Sequence, residues 1–544
     1  MSSANGRQDL SALGVQDLSA LGIQALVDPG KTPTDEQVRV IEAPRRPLLV
    51  VAGAGSGKTE TMSMRVLWLV ANHEDIAPSS VLGLTFTRKA AGELGDRLRQ
   101  RLALLARRVP SLRERLDEDP VSLTYNSFAE RIVAEHGMRI GIDPDFTMLT
   151  EAGAVDLMTQ IVEGWPTDLD EDLSPSAVVG HCLHLAGEVG EHGYTVEEAR
   201  AALEGFGRDL EQIGATNDTA RRTARANARR LAYLGPVEEF QRRKREGGLL
   251  DFSDQLVLAT RIVREAPAVR AQVRDEFQAV LLDEFQDTSV IQMELLSLLF
   301  HDHAVTAVGD PNQAIYGWRG ASASSLERFL DRFQDGPARP GQTLTLSTAW
   351  RNDRNILRAA NRVAAPLREH SRAAKSPVLR TRPGAGEGRV DVAYTQDYRS
   401  ALGAVVDFVS AHRARGTRKG KRPTTAVLCR RRSDFPYVDM ALREAGVPTQ
   451  IVGLGGLLDQ PSVQDARAAL VLADDVEASP WLARLLAGID LGAADLVALG
   501  DWARHLAREE GRDPHRAVLL DAVDNPPEPG WSASGGARGR PAIS

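Results

Sequence analysis

The sequence predicts an α/β fold, a parallel sheet with helices on both faces, and three observations predict it. Short apolar runs, "PLLVVA" (47–52), "SVLGLTF" (80–86), "AVLLDEF" (279–285) and "AVTAVGD" (304–310), each close on a turn, a polar residue or an acidic residue. Long charged amphipathic stretches separate them, the pattern of strands buried on both faces and joined by crossover helices. The first run leads directly into "GAGSGKT" (53–59), a glycine-rich loop placed between a strand and a helix.

With 544 residues the chain exceeds a single core, so roughly three or four domains are expected. Its net charge of −8 gives no global basic signature, and any nucleic-acid surface must be local. Cys182 and Cys429 lie far apart in sequence, which excludes a disulfide framework or a zinc module and fits a cytoplasmic protein. No run of about 18 apolar residues and no signal-like N-terminus appears, so no membrane partner is expected.

Residues 1–30 hold the tandem "QDLSALGV" and "QDLSALGI" and read as a flexible leader, a slippage product being favoured over a docking helix. Residues 31–115 and 249–340 form two parts of a first sheet domain, interrupted at 116–248 by a mostly helical insertion rich in Arg, Glu and Ala. A second α/β domain is expected over 341–470, opening at "TLTLST" (343–348) and continuing in "RVDVAYT", "TAVLCRR" and "TQIVGL". Residues 471–525 read as the start of a helical subdomain. Residues 526–544, rich in Pro, Gly and Ser, read as disordered.

The loop fits the phosphate-binding pattern except at its first position, where Ala52 replaces glycine. Backbone N–H groups from Gly53 through Ala54, Gly55, Ser56 and Gly57 to Lys58 would cradle phosphates. Lys58 would reach the β/γ oxygens, and the Thr59 hydroxyl would ligate Mg²⁺. "LLDEFQDTS" (281–289) delivers two adjacent carboxylates from a strand. Asp283 would hold the Mg²⁺ ion through water, and Glu284 is placed to orient and deprotonate an attacking water.

"DEFQDTS" followed by "AVGDPNQAIYGWRGA" (307–321), with "LTFTRKAAGEL", "LTYNSFAERI" and "LSTAWRNDRNILRAAN", resembles the superfamily 1 DNA helicases of the UvrD/Rep/PcrA type, in the family's order from about Thr34 to Asp465. The resemblance implies a RecA-like domain with a helical insertion, followed by an incomplete second RecA-like domain. It also implies ATP with Mg²⁺, and a Gln37 amide that reads adenine by donating and accepting at once. Gln313 matches the sensor of the γ-phosphate and Arg351 the arginine that reaches it from the second motor domain. Trp350 stands where a tyrosine usually stacks on adenine, and keeps the stacking face.

A sequence-blind motor needs aromatic platforms and cationic groups. "IYGWRGA" supplies Tyr316, Trp318 and Arg319, which in the family stack on and grip single-stranded DNA. Thr85 and Phe86 match another DNA-track segment, with Arg88 where asparagine is commoner and Asn126 where many relatives have histidine. The basic runs at 242–245 and 412–422 read more readily as solvated faces than as phosphate contacts, and "HCLH" (181–184) as plain helix.

The expected function is an ATP-dependent 3′-to-5′ DNA helicase or translocase of repair or recombination, with single-stranded DNA and duplex junctions as partners. Similarity to the actinobacterial AdnA/AdnB branch would add a partner helicase or nuclease subunit. The family's second arginine-bearing segment is not found after residue 396, so the chain reads as C-terminally truncated. The alternative is an ATP- and DNA-binding fragment without turnover.

Overall fold

The computed structural model describes residues 18–142, 146–167, 169–170, 172–214, 217–317, 325–334, 340–370, 375–414, 424–452, 461–489, 491–512, 514 and 517–527. They form two compact units, one ending at Val390 and the other starting at Asp391.

The first unit is built on six strands: β1 (Leu48–Ala52), β2 (Val81–Thr85), β3 (Val121–Thr124), β6 (Ala279–Leu282), β7 (Val305–Gly309) and β8 (Gln342–Leu346). Between β3 and β6 lie two short strands, β4 (Thr147–Met148) and β5 (Leu249–Leu250). The sheet order is β3-β2-β6-β7-β1-β8, and every pairing is parallel. Alternate residues of each strand enter opposite cores. Leu49, Val51, Leu82, Leu84, Val280 and Leu282 face one, while Leu48, Val50, Ala52, Ala279 and Leu281 face the other. The expected parallel sheet, buried on both faces, is present.

The helices follow from local signals. α1 (Ala20–Val27) and α2 (Asp35–Ile41) precede β1; α3 (Lys58–Asn72) follows it, and α4 (Arg88–Arg108) follows β2. The capping box of Thr34 and Gln37 starts α2. The Arg65 guanidinium of α3, fully buried, donates to Val40 O and Ile41 O at the end of α2, to Ala43 O and Pro44 O just beyond it, and to Thr306 Oγ1 of β7. Burial pushes its pKa down to about 10. α5 (Tyr125–His136) lies after β3.

The helical insertion comprises α6 (Glu151–Glu163), α7 (Pro175–Glu191), α8 (Val196–Ile213) and α9 (Asp218–Glu246) around its own core, including Met158, Cys182, Leu234 and Phe240. Its entry and exit are clamped by β4 and β5, which pair in parallel with Thr147 opposite Leu249 and Met148 opposite Leu250. At this neck the buried Lys244 donates to the carboxylates of Asp251 and Asp254 (2.7 Å to Asp254 Oδ2) and lies 4.9 Å from the Phe240 ring centroid. The chain then continues through α10 (Phe252–Glu265), α11 (Pro267–Glu276), α12 (Val290–Phe300), α13 (Ser325–Phe333) and α14 (Arg354–His370), with β9 (Thr348–Ala349) pairing β10 (Arg380–Thr381).

Three expectations are corrected. The leader is not flexible from residue 18 on: Ala20 and Ile23 of α1 are buried against the core that holds α3 and α4, and Leu18 exchanges two hydrogen bonds with Asn72. Ser19 caps α1, so the described end of the second repeat copy, Leu18–Ile23, runs into a docked helix; the first copy and residues 16–17 lie outside the described residues. "TLTLST" does not open a second sheet. Its strand, β8, pairs with β1 over five residues as the sixth strand of the first, and its half-exposed edge pattern carries no mark of which sheet it joins.

The third correction concerns the second unit, which holds α15 (Tyr398–Ala414), α16 (Phe435–Glu444), α17 (Pro461–Asp474), α18 (Ser479–Gly488), α19 (Ala493–Glu509) and α20 (Leu519–Asp524), and no strand among its described residues. Val392, Tyr394 and Leu428, which lie in runs expected as strands, are exposed. A β-prone run becomes a strand only where a neighbour takes up its ladder of N–H and C=O groups. Residues 528–544 of the expected tail lie outside the described residues.

Candidate nucleotide and DNA site

The fully buried β1 ends at Ala52, whose register partner is Leu346 of β8, so this residue belongs to the core rather than to a ligand surface. The loop turns through Gly55 (φ 74°) and Gly57 (φ 83°), conformations that a side chain would strain, and delivers Lys58 as the first residue of α3. The Gly53 N–H donates to Leu346 O (3.3 Å) and the Ser56 N–H to Gly53 O (3.2 Å). Gly53 is thereby corrected from a phosphate donor to an extension of the strand pairing. The N–H groups of Ala54, Gly55, Gly57 and Lys58 have no hydrogen bond among the described residues, and Ser56 Oγ is buried without a partner. A ring of unused donors at a helix N-terminus fits an anion such as a triphosphate.

Lys58 Nζ donates to Glu284 Oε2 at 2.7 Å. Glu284 has φ 49°, one of two non-glycine residues among those described in the left-handed region, a strain that active sites tolerate. Beside it, Asp283 is buried, and burial with the Glu284 charge pushes its carboxyl up to about 6 against the opposing pull of Lys58. The Tyr125 hydroxyl donates to Asp283 O (3.0 Å) and fixes the strand end. The Thr59 hydroxyl has no hydrogen bond among the described residues. Thr59 and Asp283 supply the hard oxygens that Mg²⁺ takes, and a raised carboxyl pKa is the mark of a group that a cation would relieve.

Gln286 links the two loops: its amide donates to Glu284 Oε2 (2.9 Å) and Asp287 Oδ2 (3.1 Å), and its carbonyl accepts from the Asp310 N–H (3.0 Å). Gln313 Nε2 donates to Asp310 Oδ2 at 2.7 Å. Sequence reasoning missed Gln286 and Asp310. Both stand inside quoted motifs, but the contact joins residues 24 apart and leaves no local pattern.

Gln37 is buried and accepts from the Thr34 N–H (3.0 Å) while donating to Thr61 Oγ1 (3.2 Å). One amide hydrogen and one carbonyl lone pair remain for a base edge. A β-carbon at Gly57 would lie 3.0 Å from Gln37 Nε2 and 3.7 Å from Trp350 Cδ1, so amide and indole converge at the start of α3. Trp350 is 39% exposed, and its N–H donates to Gly55 O (2.8 Å). Arg351 follows against Gly55; its side chain is exposed, with no ion pair among the described residues. Trp350 and Arg351 thus adjoin the loop from within the first unit. Glu36, which sequence reasoning did not single out, accepts from the Ser347 N–H and Oγ, both at 2.7 Å, and ties the Gln37 helix to the Trp350 segment.

Of the residues expected to line a DNA track, the Phe86 and Tyr316 rings meet with centroids 4.5 Å apart at 32°. Trp318 and Arg319 lie outside the described residues. Thr85 is corrected: it is buried and donates to Thr87 O (3.2 Å), shaping the turn that presents Phe86. Asn126 accepts from Gln292 (3.2 Å). In the run 242–245, Arg242 and Arg243 pair with Glu239, and Lys244 is buried. Of "HCLH", Cys182 is a core residue whose thiol burial pushes up to about 12.

The model of the UvrD/REP helicase N-terminal domain matches residues 33–334. DNA helicase II of Escherichia coli is 28% identical over 441 residues, covering 80% of this chain and 54% of that protein. ATP-dependent DNA helicase PcrA of Staphylococcus epidermidis is 26% identical over 436 residues (80% and 53%), and ATP-dependent DNA helicase UvrD2 of Mycobacterium tuberculosis is 29% identical over 500 residues (90% and 64%). The chain therefore spans about half to two thirds of the length of these curated relatives. With more than half of its residues matched by one family model across the loop, the paired carboxylates and the aromatic pair, the chain belongs to the UvrD/REP helicase family.

Proposed function

We propose that this chain uses ATP hydrolysis to drive movement along single-stranded DNA, 3′ to 5′, in DNA repair or recombination. One observation carries the reading. Asp287, four residues after the metal-binding candidate Asp283, accepts from the Ile315 N–H at 3.3 Å. The five-residue segment that bears the hydrolytic carboxylates therefore also holds the backbone that presents Tyr316. This hydrogen bond would carry a shift of one to the other.

ATP is the substrate. The free N–H groups of the loop would bind its phosphates, Gln37 and Trp350 its base. Thr59 and Asp283 would hold Mg²⁺, which would supply positive charge against the phosphates. Lys58 exchanges Glu284 for a phosphate oxygen, and the released Glu284 carboxylate orients the attacking water and takes its proton, a role worth about 10²–10⁴ in rate. Gln313 and Arg351 contact the γ-phosphate. Phe86 and Tyr316 part to admit a base between their rings, where stacking is sequence-blind. No helix among the described residues is long and apolar enough to cross a membrane.

The test is strand separation of a short labelled duplex carrying a 3′ or a 5′ single-stranded tail. ATP-dependent separation confined to the 3′-tailed duplex is expected. Tight holding of nucleotide and DNA with no separation and no hydrolysis would favour a binding fragment instead.

A further inference from the structure

The described residues just before β10, 375–379, meet the nucleotide site at two points. Ser376, 6% exposed, donates from Oγ to Asp310 Oδ1 at 2.8 Å. Three residues later Leu379 lies against Gly53, where a β-carbon would stand 2.2 Å from Leu379 Cδ2. Asn361 of α14 holds Leu379 in place by accepting from its N–H (3.0 Å) and donating to its carbonyl (2.9 Å).

Asp310 is the junction. Its Oδ1 accepts from Ser376 and from the Asn312 N–H (3.0 Å), while Oδ2 accepts from Gln313 Nε2 (2.7 Å). Two donors on one oxygen fix the plane of the carboxylate and so the direction in which the other oxygen holds the glutamine. The Asp310 N–H reaches Gln286, and Gln286 reaches the Glu284 oxygen that accepts from Lys58. Hydrogen bonds thus run without a break from this segment to the phosphate-loop lysine.

We propose that Ser376 is a positioning residue: through Asp310 it sets the Gln313 amide where the third phosphate of a nucleoside triphosphate is read, while Leu379 keys the same segment to the phosphate loop. The proposal rests on the reading of 53–59 as an ATP site. Loss of the Ser376 hydroxyl frees the Asp310 carboxylate to rotate, and Gln313 loses its fixed orientation. Discrimination of triphosphate from diphosphate then falls, while affinity for the parts common to both is kept.

The experiment measures dissociation constants of fluorescently labelled ADP and of a labelled non-hydrolysable ATP analogue for the full chain. Wild type is expected to prefer the triphosphate. In Ser376→Ala that preference falls about tenfold with ADP affinity held within about twofold, and Ser376→Thr, which keeps the hydroxyl, retains it. Asp310→Asn gives the same loss by the other partner, and carries the test should Ser376→Ala not fold. The double variant falls no further than either single one, because both break one linkage. An unchanged preference in Ser376→Ala, or a double variant equal to the product of the singles, overturns the positioning role alone. A wild type that binds neither nucleotide removes the ATP site and this proposal together. One that binds both equally leaves no discrimination to position and overturns the proposal.

Discussion

Lys58 Nζ donates to Glu284 Oε2 at 2.7 Å, so the cation offered to phosphates and the carboxylate offered to water hold each other. A triphosphate seated in the loop competes with Glu284 for that ammonium. Glu284→Gln is therefore expected to bind the triphosphate as well as wild type or a few-fold more tightly, while steady-state hydrolysis falls by about 10²–10⁴. Weaker binding together with the lost rate would mean that Glu284 serves mainly to place Lys58.

The 4.5 Å contact of Phe86 with Tyr316 marks the two rings that part to take one base between them. Phe86→Ala and Tyr316→Ala should each weaken binding of an oligothymidine by about 1–3 kcal/mol, read by fluorescence anisotropy. The dependence on salt should keep its slope, because neither substitution removes a phosphate contact. A changed slope with little loss of affinity would point to a backbone contact instead.

Gln37 sits beside both Gly57 and Trp350 with one donor and one acceptor to spare. Gln37→Ala should reduce preference for ATP over GTP by about tenfold in a competition assay, on the scale expected when one base-edge contact is lost. It also removes half of the α2 capping box, a stability cost of about 1 kcal/mol that acts on both nucleotides alike. Equal weakening of ATP and GTP would assign Gln37 to the cap alone.

Lys244, buried between Asp251 and Asp254, is the ionic lock at the neck of the insertion. Lys244→Met leaves two carboxylates facing each other and should destabilise the first unit by about 3 kcal/mol, the low end for a broken buried pair because both carboxylates keep a quarter to a third of their exposure. Urea unfolding checks this, and a change below about 1 kcal/mol would show the neck to be held by its packing.

Much of the first unit was legible because its signals are local. Four apolar runs, each closed by a turn, a polar residue or an acidic residue, marked four strands, and "GSGKT" and "DEF" named Lys58, Thr59, Asp283 and Glu284, which the fold brings to one place. The misses are nonlocal. β8 reads alike whether it starts a new sheet or closes an old one, and only its pairing with β1 decides. α1 reads as leader because eight residues are too few to show a helical period, and the burial of Ala20 and Ile23, with Leu26 and Val27 packed beside them, depends on α3 and α4. Val392, Tyr394 and Leu428 carry β propensity, yet propensity does not supply the neighbouring strand. Ser376 bears no motif at all, and becomes visible only through its distance to Asp310.

If nucleotide turnover and DNA are coupled through the one segment from Asp283 to Asp287, the rate of hydrolysis must respond to DNA. ATP hydrolysis by the purified chain, measured with and without single-stranded DNA beside Lys58→Ala, tests this coupling most directly. Hydrolysis that DNA stimulates and that Lys58→Ala abolishes is the expected result. Nucleotide binding with a rate indifferent to DNA would contradict the coupling.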